Sequence, residues 1–68
     1  MTFEQLRTFF WVARLGGFRK ASDKLGLSQP AISTRIATLE DELQVKLLER
    51  SPQGIALSKP GTLLMAYV

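Results

Sequence analysis

The sequence predicts a mainly α-helical fold: a three-helix core with a helix-turn-helix at its centre, a β-hairpin wing after it, and the start of a fourth helix. Three observations predict this. Apolar residues recur at helical spacing in three segments, and glycines follow the first two. The second and third segments are joined by Gly26 and Leu27 alone before Ser28, the short glycine-containing turn of a helix-turn-helix. After Leu43 the pattern changes to short apolar runs on either side of Ser51-Pro52-Gln53-Gly54, a stretch dense in turn formers.

Length and composition bound the rest. A chain of 68 residues makes one small domain, near the size where a single core is only marginally sufficient, and 46% apolar residues provide that core. The chain has no cysteine and no histidine. Disulfides and thiolate metal sites are therefore ruled out, and so are the commonest catalytic base and zinc ligand, which argues against an enzyme and against any cofactor. Arg7 and Arg14 interrupt the apolar run near the N-terminus, and no stretch reaches membrane-spanning length, so a cytoplasmic protein is expected.

Thr2 opens the first helix, with Gln5 three positions on to complete a capping box. Phe3, Leu6, Phe9, Phe10 and Ala13 form a broad apolar stripe expected to face the core, ending before Gly16-Gly17. Trp11, Val12 and Leu15 lie beside Thr8 on a second apolar side. Trp11 suits either base stacking or packing, and packing is the commoner use of an aromatic at helical spacing; Trp11 and Leu15 are expected to meet the fourth helix or a partner subunit.

The second helix runs from about Phe18 to Leu25, with Phe18, Ala21, Ser22 and Leu25 facing inward and Gly17 as its N-cap. Arg19 and Lys20 fall in its first turn, where positive charge opposes the helix dipole. A bound phosphate would relieve that conflict, and a solvated pair is the equal alternative. Gly26 then supplies a left-handed residue and Leu27 plugs the corner.

The third helix, Ser28 to Leu43, is the centre of the chain. Ser28 is a good N-cap and Pro30 sits in the first turn, where a missing N–H costs nothing. Ile32, Ile36, Leu39 and Leu43 line one narrow stripe, while Pro30, Ser33, Thr34, Ala37 and Asp41 fall opposite. The free face is small and hydrogen-bonding at its start and acidic at Glu40, Asp41 and Glu42. Only the N-terminal half suits a phosphate surface, as in a recognition helix that presents its first residues to base edges.

Leu47, Leu48, Glu49 and Arg50 lead into the turn, and Ile55-Ala56-Leu57 reads as the return strand. Ser58 caps a fourth helix with Pro60 in its first turn, and the apolar run from Leu63 to Val68 suggests a helix that continues. Charge is unevenly placed: residues 1–35 carry +4 and residues 36–50 carry −2, within a net +3. A polyanion on one side fits this pattern, although a solvated surface of mixed charge is the commoner reading of net charge alone.

These residues carry a resemblance. LRTFFWVARLGGF, then SQPAISTRIATLEDEL, then LLERSPQGIALSKPG resemble the DNA-binding domain of LysR-type transcriptional regulators over essentially the whole chain. The most specific pieces are Ser28-Gln29-Pro30-Ala31, Leu39-Glu40 and Glu49-Arg50. The resemblance implies a winged helix-turn-helix over residues 1–58, with the helix-turn-helix at about 18–37 and the wing at about 47–57. Residues 59–68 would begin a linker helix that forms a homodimer, attached to a further domain that binds a small-molecule effector. The implied partner is double-stranded promoter DNA, with no membrane and no cofactor.

In such proteins bases are read from the start of the third helix, which here means Gln29, Pro30, Ser33 and Thr34. Gln29 can donate and accept together, as adenine requires. Pro30 and Ser33 fit close approach or phosphate better than base discrimination. Where the family often has arginine then glutamine, this chain has Thr34-Arg35. Thr34 is too short for a bidentate pair with guanine, and Arg35 is expected either at the phosphate backbone or groove flank or in an internal ion pair. Arg19, Lys20, Ser28, Arg50 and Gln53 complete the expected backbone and flank contacts, with Arg50 alternatively paired to a carboxylate such as Glu40. Trp11, Leu15, Leu63, Leu64 and Tyr67 are the expected dimer and linker packing residues. The alternative function is a helix-turn-helix used for protein association only.

Overall fold

A computed structural model describes residues 1–52 and 54–68. The elements in chain order are α1 (Phe3–Leu15), α2 (Phe18–Leu25), α3 (Gln29–Leu43), β1 (Leu48–Ser51), β2 (Gly54–Leu57) and α4 (Lys59–Met65). This is a winged helix-turn-helix. β1 and β2 form an antiparallel hairpin in which Leu48 faces Leu57 and Arg50 faces Ile55.

Each helix start follows from its sequence. The Thr2 hydroxyl accepts from the Gln5 N–H at 3.1 Å while the Thr2 N–H donates to Gln5 Oε1 at 2.9 Å, a complete capping box. The Ser28 hydroxyl accepts from the Ala31 N–H, and the Ser58 hydroxyl accepts from the Gly61 N–H. Gly16 (φ 79°) and Gly26 (φ 68°) end α1 and α2 in the left-handed conformation. Gln44 ends α3 in the same conformation, at φ 57°, without being glycine, and its side-chain amide donates to the Asp41 carbonyl.

The core gathers Phe9 and Val12 of α1, Ala21 of α2, Ile32, Ile36 and Leu39 of α3, and Leu47, which leads into the hairpin. Full burial of an aliphatic or aromatic side chain of this size contributes roughly 1.5–3 kcal/mol, so these few residues carry most of the driving force in so small a domain. The expected stripe of α3 holds, with Leu43 half-buried at its end. The expected face of α1 does not. Val12 and Thr8 are fully buried, whereas Phe3 is 75% exposed. α1 is apolar around most of its circumference, so periodicity left its rotation open, and the packing of α2 and α3 decided it. Thr8 tolerates burial because its hydroxyl donates to the Glu4 carbonyl at 2.8 Å.

The wing is fastened to α3 by a part-buried carboxylate. Glu40 Oε2 accepts from the N–H groups of Leu47 (2.8 Å) and Leu48 (3.2 Å), and the Lys46 ammonium stands 4.0 Å from its other oxygen. This places Glu40 in the scaffold and sets where β1 begins.

Candidate nucleic-acid interface

The first turns of α3 stand free. Ser28, Gln29, Pro30, Ser33, Thr34 and Ala37 are all exposed, while Ile32 and Ile36 point into the core. Because Ser28 uses its oxygen lone pair on Ala31, its hydroxyl proton is left as the group it can offer to an anion. Gln29 is the first helical residue, so its amide leads the helix.

A concave surface joins this helix start to α2 and the hairpin. It is lined by Gly17, Arg19, Lys20, Gln29, Arg50 and Ser51, among others, and it brings together side chains more than thirty positions apart in the chain. Arg19 and Lys20 occupy the first turn of α2, which holds no acidic residue and whose N-cap, Gly17, makes no side-chain hydrogen bond. Free backbone N–H groups and two cations therefore face one way. A second cleft, between α3 and the hairpin, is lined by Ser33, Ala37, Lys46, Glu49 and Arg50. Lys46 adds a cation to this cleft, and in the sequence only its basicity marks it.

The geometry bears on three of these expectations. Arg35 Nη1 donates to Glu4 Oε2 at 3.0 Å, so of the two roles open to Arg35 the internal ion pair is the one the structure holds. Among the described residues Arg50 makes no ion pair, and the alternative of Arg50 bound to Glu40 fails because Glu40 is occupied by the Leu47 and Leu48 amides. Around Trp11 the Lys24 ammonium of α2 lies 4.6 Å from its ring centroid, and Phe10 packs edge-on at 5.1 Å. In this arrangement Trp11 is half-buried and packs against its own domain. Gln53, expected at the wing tip, lies outside the described residues.

The expected dimer and linker residues are also dispersed. Leu15 is half-buried, and Leu64 packs against the protein's own core, whereas Leu63 and Tyr67 are 66% and 86% exposed. The α1 residues that share an apolar groove with Tyr67 and Val68 are Phe3, Leu6 and Phe10, not Trp11 and Leu15. Their i, i+3, i+7 spacing is visible in the sequence, where it is indistinguishable from that of a core-facing stripe.

Residues 3–62 match the family described as bacterial regulatory helix-turn-helix protein, lysR family. The chain belongs to this family. A probable RuBisCO transcriptional regulator of Gracilaria tenuistipitata var. liui is 42% identical over 66 residues, which cover 97% of this chain and 21% of that protein. The chain thus spans about a fifth of the length of that curated relative. In structure it resembles the CbnR DNA-binding domain in complex with DNA, with a TM-score of 0.92 and 40% identity, covering 98% of this chain and 77% of that one. The BenM DNA-binding domain on benA site 1 DNA gives a TM-score of 0.93 at 37% identity, covering 98% and 75% of the two chains. The Ser28–Ala31, Leu39-Glu40 and Glu49-Arg50 segments of this LysR-family chain now have physical roles: a helix cap with an exposed first turn, a core residue beside the carboxylate that seats the wing, and an exposed strand facing the clefts.

No helix among the described residues is long and apolar enough to cross a membrane.

Proposed function

We propose that this domain binds double-stranded DNA sequence-specifically in transcription regulation, with the N-terminal half of α3 in the major groove and the wing on the flanking backbone or minor groove. The observation that carries the reading is the shared surface on which Gln29, Arg19, Lys20 and Arg50 converge beside the exposed Ser33 and Thr34. Two solved relatives with the same fold are DNA complexes by their own descriptions.

In this reading Gln29 and Thr34 contact base edges, Gln29 through its paired donor and acceptor and Thr34 through contact with a thymine methyl. Pro30 and Ser33 allow close approach, and Arg19, Lys20, Ser28 and Arg50 hold the phosphates. The work is recognition, without catalysis or a cofactor, in the cytoplasm. In the full regulator a homodimer through the helix after the wing would present two such surfaces to half-sites spaced by helical turns, and a further domain would bind the effector.

A second reading, protein association only, is favoured by the exposed Phe3, Leu63 and Tyr67. Titration with salt separates the two. Phosphate contacts release counterions, so affinity for duplex DNA must fall steeply as salt rises, by roughly 0.9 in logarithmic slope for each phosphate engaged. Binding that is flat with salt, or absent, removes the DNA reading and leaves association.

A further inference from the structure

We propose that Glu4, a residue of α1 outside the reading surface, sets what α3 reads by holding the Arg35 guanidinium away from the duplex. The proposal rests on the DNA-binding reading above and deepens it. Arg35 is the only cation of α3 and follows directly on Thr34. Its Nη1 donates to Glu4 Oε2 at 3.0 Å, and Arg7 approaches the same oxygen at 3.9 Å.

The backbone that carries the acceptor is fixed independently of Arg35. Glu4 lies in the first turn of α1, which the Thr2–Gln5 capping box fixes, and where its charge also suits the helix dipole. A second tie, from the Met1 ammonium to Glu42 at 2.8 Å, joins the same end of α1 to α3 two helical turns beyond Arg35. The pair of Glu4 and Arg35 therefore joins the fixed first turn of α1 to the middle of α3. The Glu4 side chain is 54% exposed, so the pair adds little to stability. Its effect is on where the charge of Arg35 can go.

With Arg35 turned toward α1, the side chain offered to DNA at this level of α3 is Thr34, which is short and uncharged. A guanidinium released beside it would find phosphate oxygens in the geometry that its paired N–H donors prefer. It would add affinity to every sequence alike. Glu4 is thus a positioning residue for specificity, acting through Arg35.

The test compares the wild-type protein with Glu4→Gln and with the double variant Glu4→Gln, Arg35→Gln. Affinity is measured across a salt series on a random-sequence duplex and on a site selected from a random pool. Glu4→Gln should bind the random duplex several-fold tighter, with a salt slope steeper by about one phosphate contact, so that the ratio of selected to random affinity falls. The double variant should return to the wild-type slope and ratio. Urea unfolding midpoints check that the variants remain folded. A double variant that keeps the gain shows that loss of a negative charge, or release of Arg7, is responsible, and overturns the proposal. So does a double variant that binds well below wild type, because Arg35 would then already contact DNA, and so does an unchanged Glu4→Gln. A wild-type protein without salt-dependent binding fails the underlying DNA reading instead.

Discussion

Gly61 lies against the backbone carbonyl of Leu47 so closely that a Cβ at position 61 would stand 3.0 Å from the Leu47 carbonyl carbon and closer still to its oxygen. The same carbonyl accepts from the Ser58 N–H at 3.0 Å, and the Ser58 hydroxyl donates to the neighbouring Lys46 carbonyl. The start of α4 is therefore pressed onto the start of the wing. A conformational reason is not needed for this glycine, since its φ is not among the positive ones; close approach alone requires it.

Gly61→Ala is expected to lower stability by about 1–3 kcal/mol, as overpacking against rigid backbone does. Helix propensity alone predicts the opposite sign, a gain of roughly 1 kcal/mol in α4. A urea denaturation midpoint that falls supports the contact, and one that rises shows that the backbone yields there.

Glu40 holds the other side of this junction. Removing its carboxylate leaves the Leu47 and Leu48 N–H groups without a partner in a part-buried place. Glu40→Ala should cost about 1–3 kcal/mol, and Glu40→Gln less, because its amide oxygen can still accept. Hydrogen exchange at the Leu47 and Leu48 amides reads the local effect: both should exchange faster in Glu40→Ala, and unchanged protection would remove Glu40 from the junction.

The rotation of α1 makes a paired prediction from two phenylalanines of one helix. Phe9 is fully buried and Phe3 is 75% exposed. Phe9→Ala is expected to cost about 3–5 kcal/mol, enough to unfold a domain this small, while Phe3→Ala stays within about 0.5 kcal/mol. Thermal unfolding of the two variants checks it, and comparable losses would mean that α1 is rotated from the arrangement described.

At the reading surface, Gln29→Ala should lose about 1–3 kcal/mol of discrimination at one base pair of the selected site. Arg19→Ala and Lys20→Ala should instead weaken all duplexes alike and lower the salt slope by about one each. Binding to single-base variants of the selected site separates the classes; equal losses for Gln29→Ala on selected and random DNA would take it off the base edges.

The elements themselves were legible in the sequence because their signals are local. Thr2, Ser28 and Ser58 cap the helices that follow by hydrogen bonds spanning three residues, and Gly16 and Gly26 end α1 and α2 by backbone conformation alone. The single apolar stripe of α3 left one way to pack it, so Gln29, Ser33 and Thr34 were visible as an exposed face before any tertiary contact was known. The left-handed Gln44 was not legible, since nothing in its residue type requires that conformation.

The sequence by itself determined where the helices begin, where α1 and α2 end, and which side of α3 is free, because short-range hydrogen bonds, two glycines and one unambiguous stripe suffice for these. Only the tertiary structure decided which side of α1 is buried, that Glu40 seats the wing, and that Arg35 turns to Glu4 across thirty-one positions of chain. A helix apolar around most of its circumference has no preferred rotation until neighbours pack on it. Likewise, a carboxylate several bonds from its backbone has no preferred partner until the fold brings one within 3 Å.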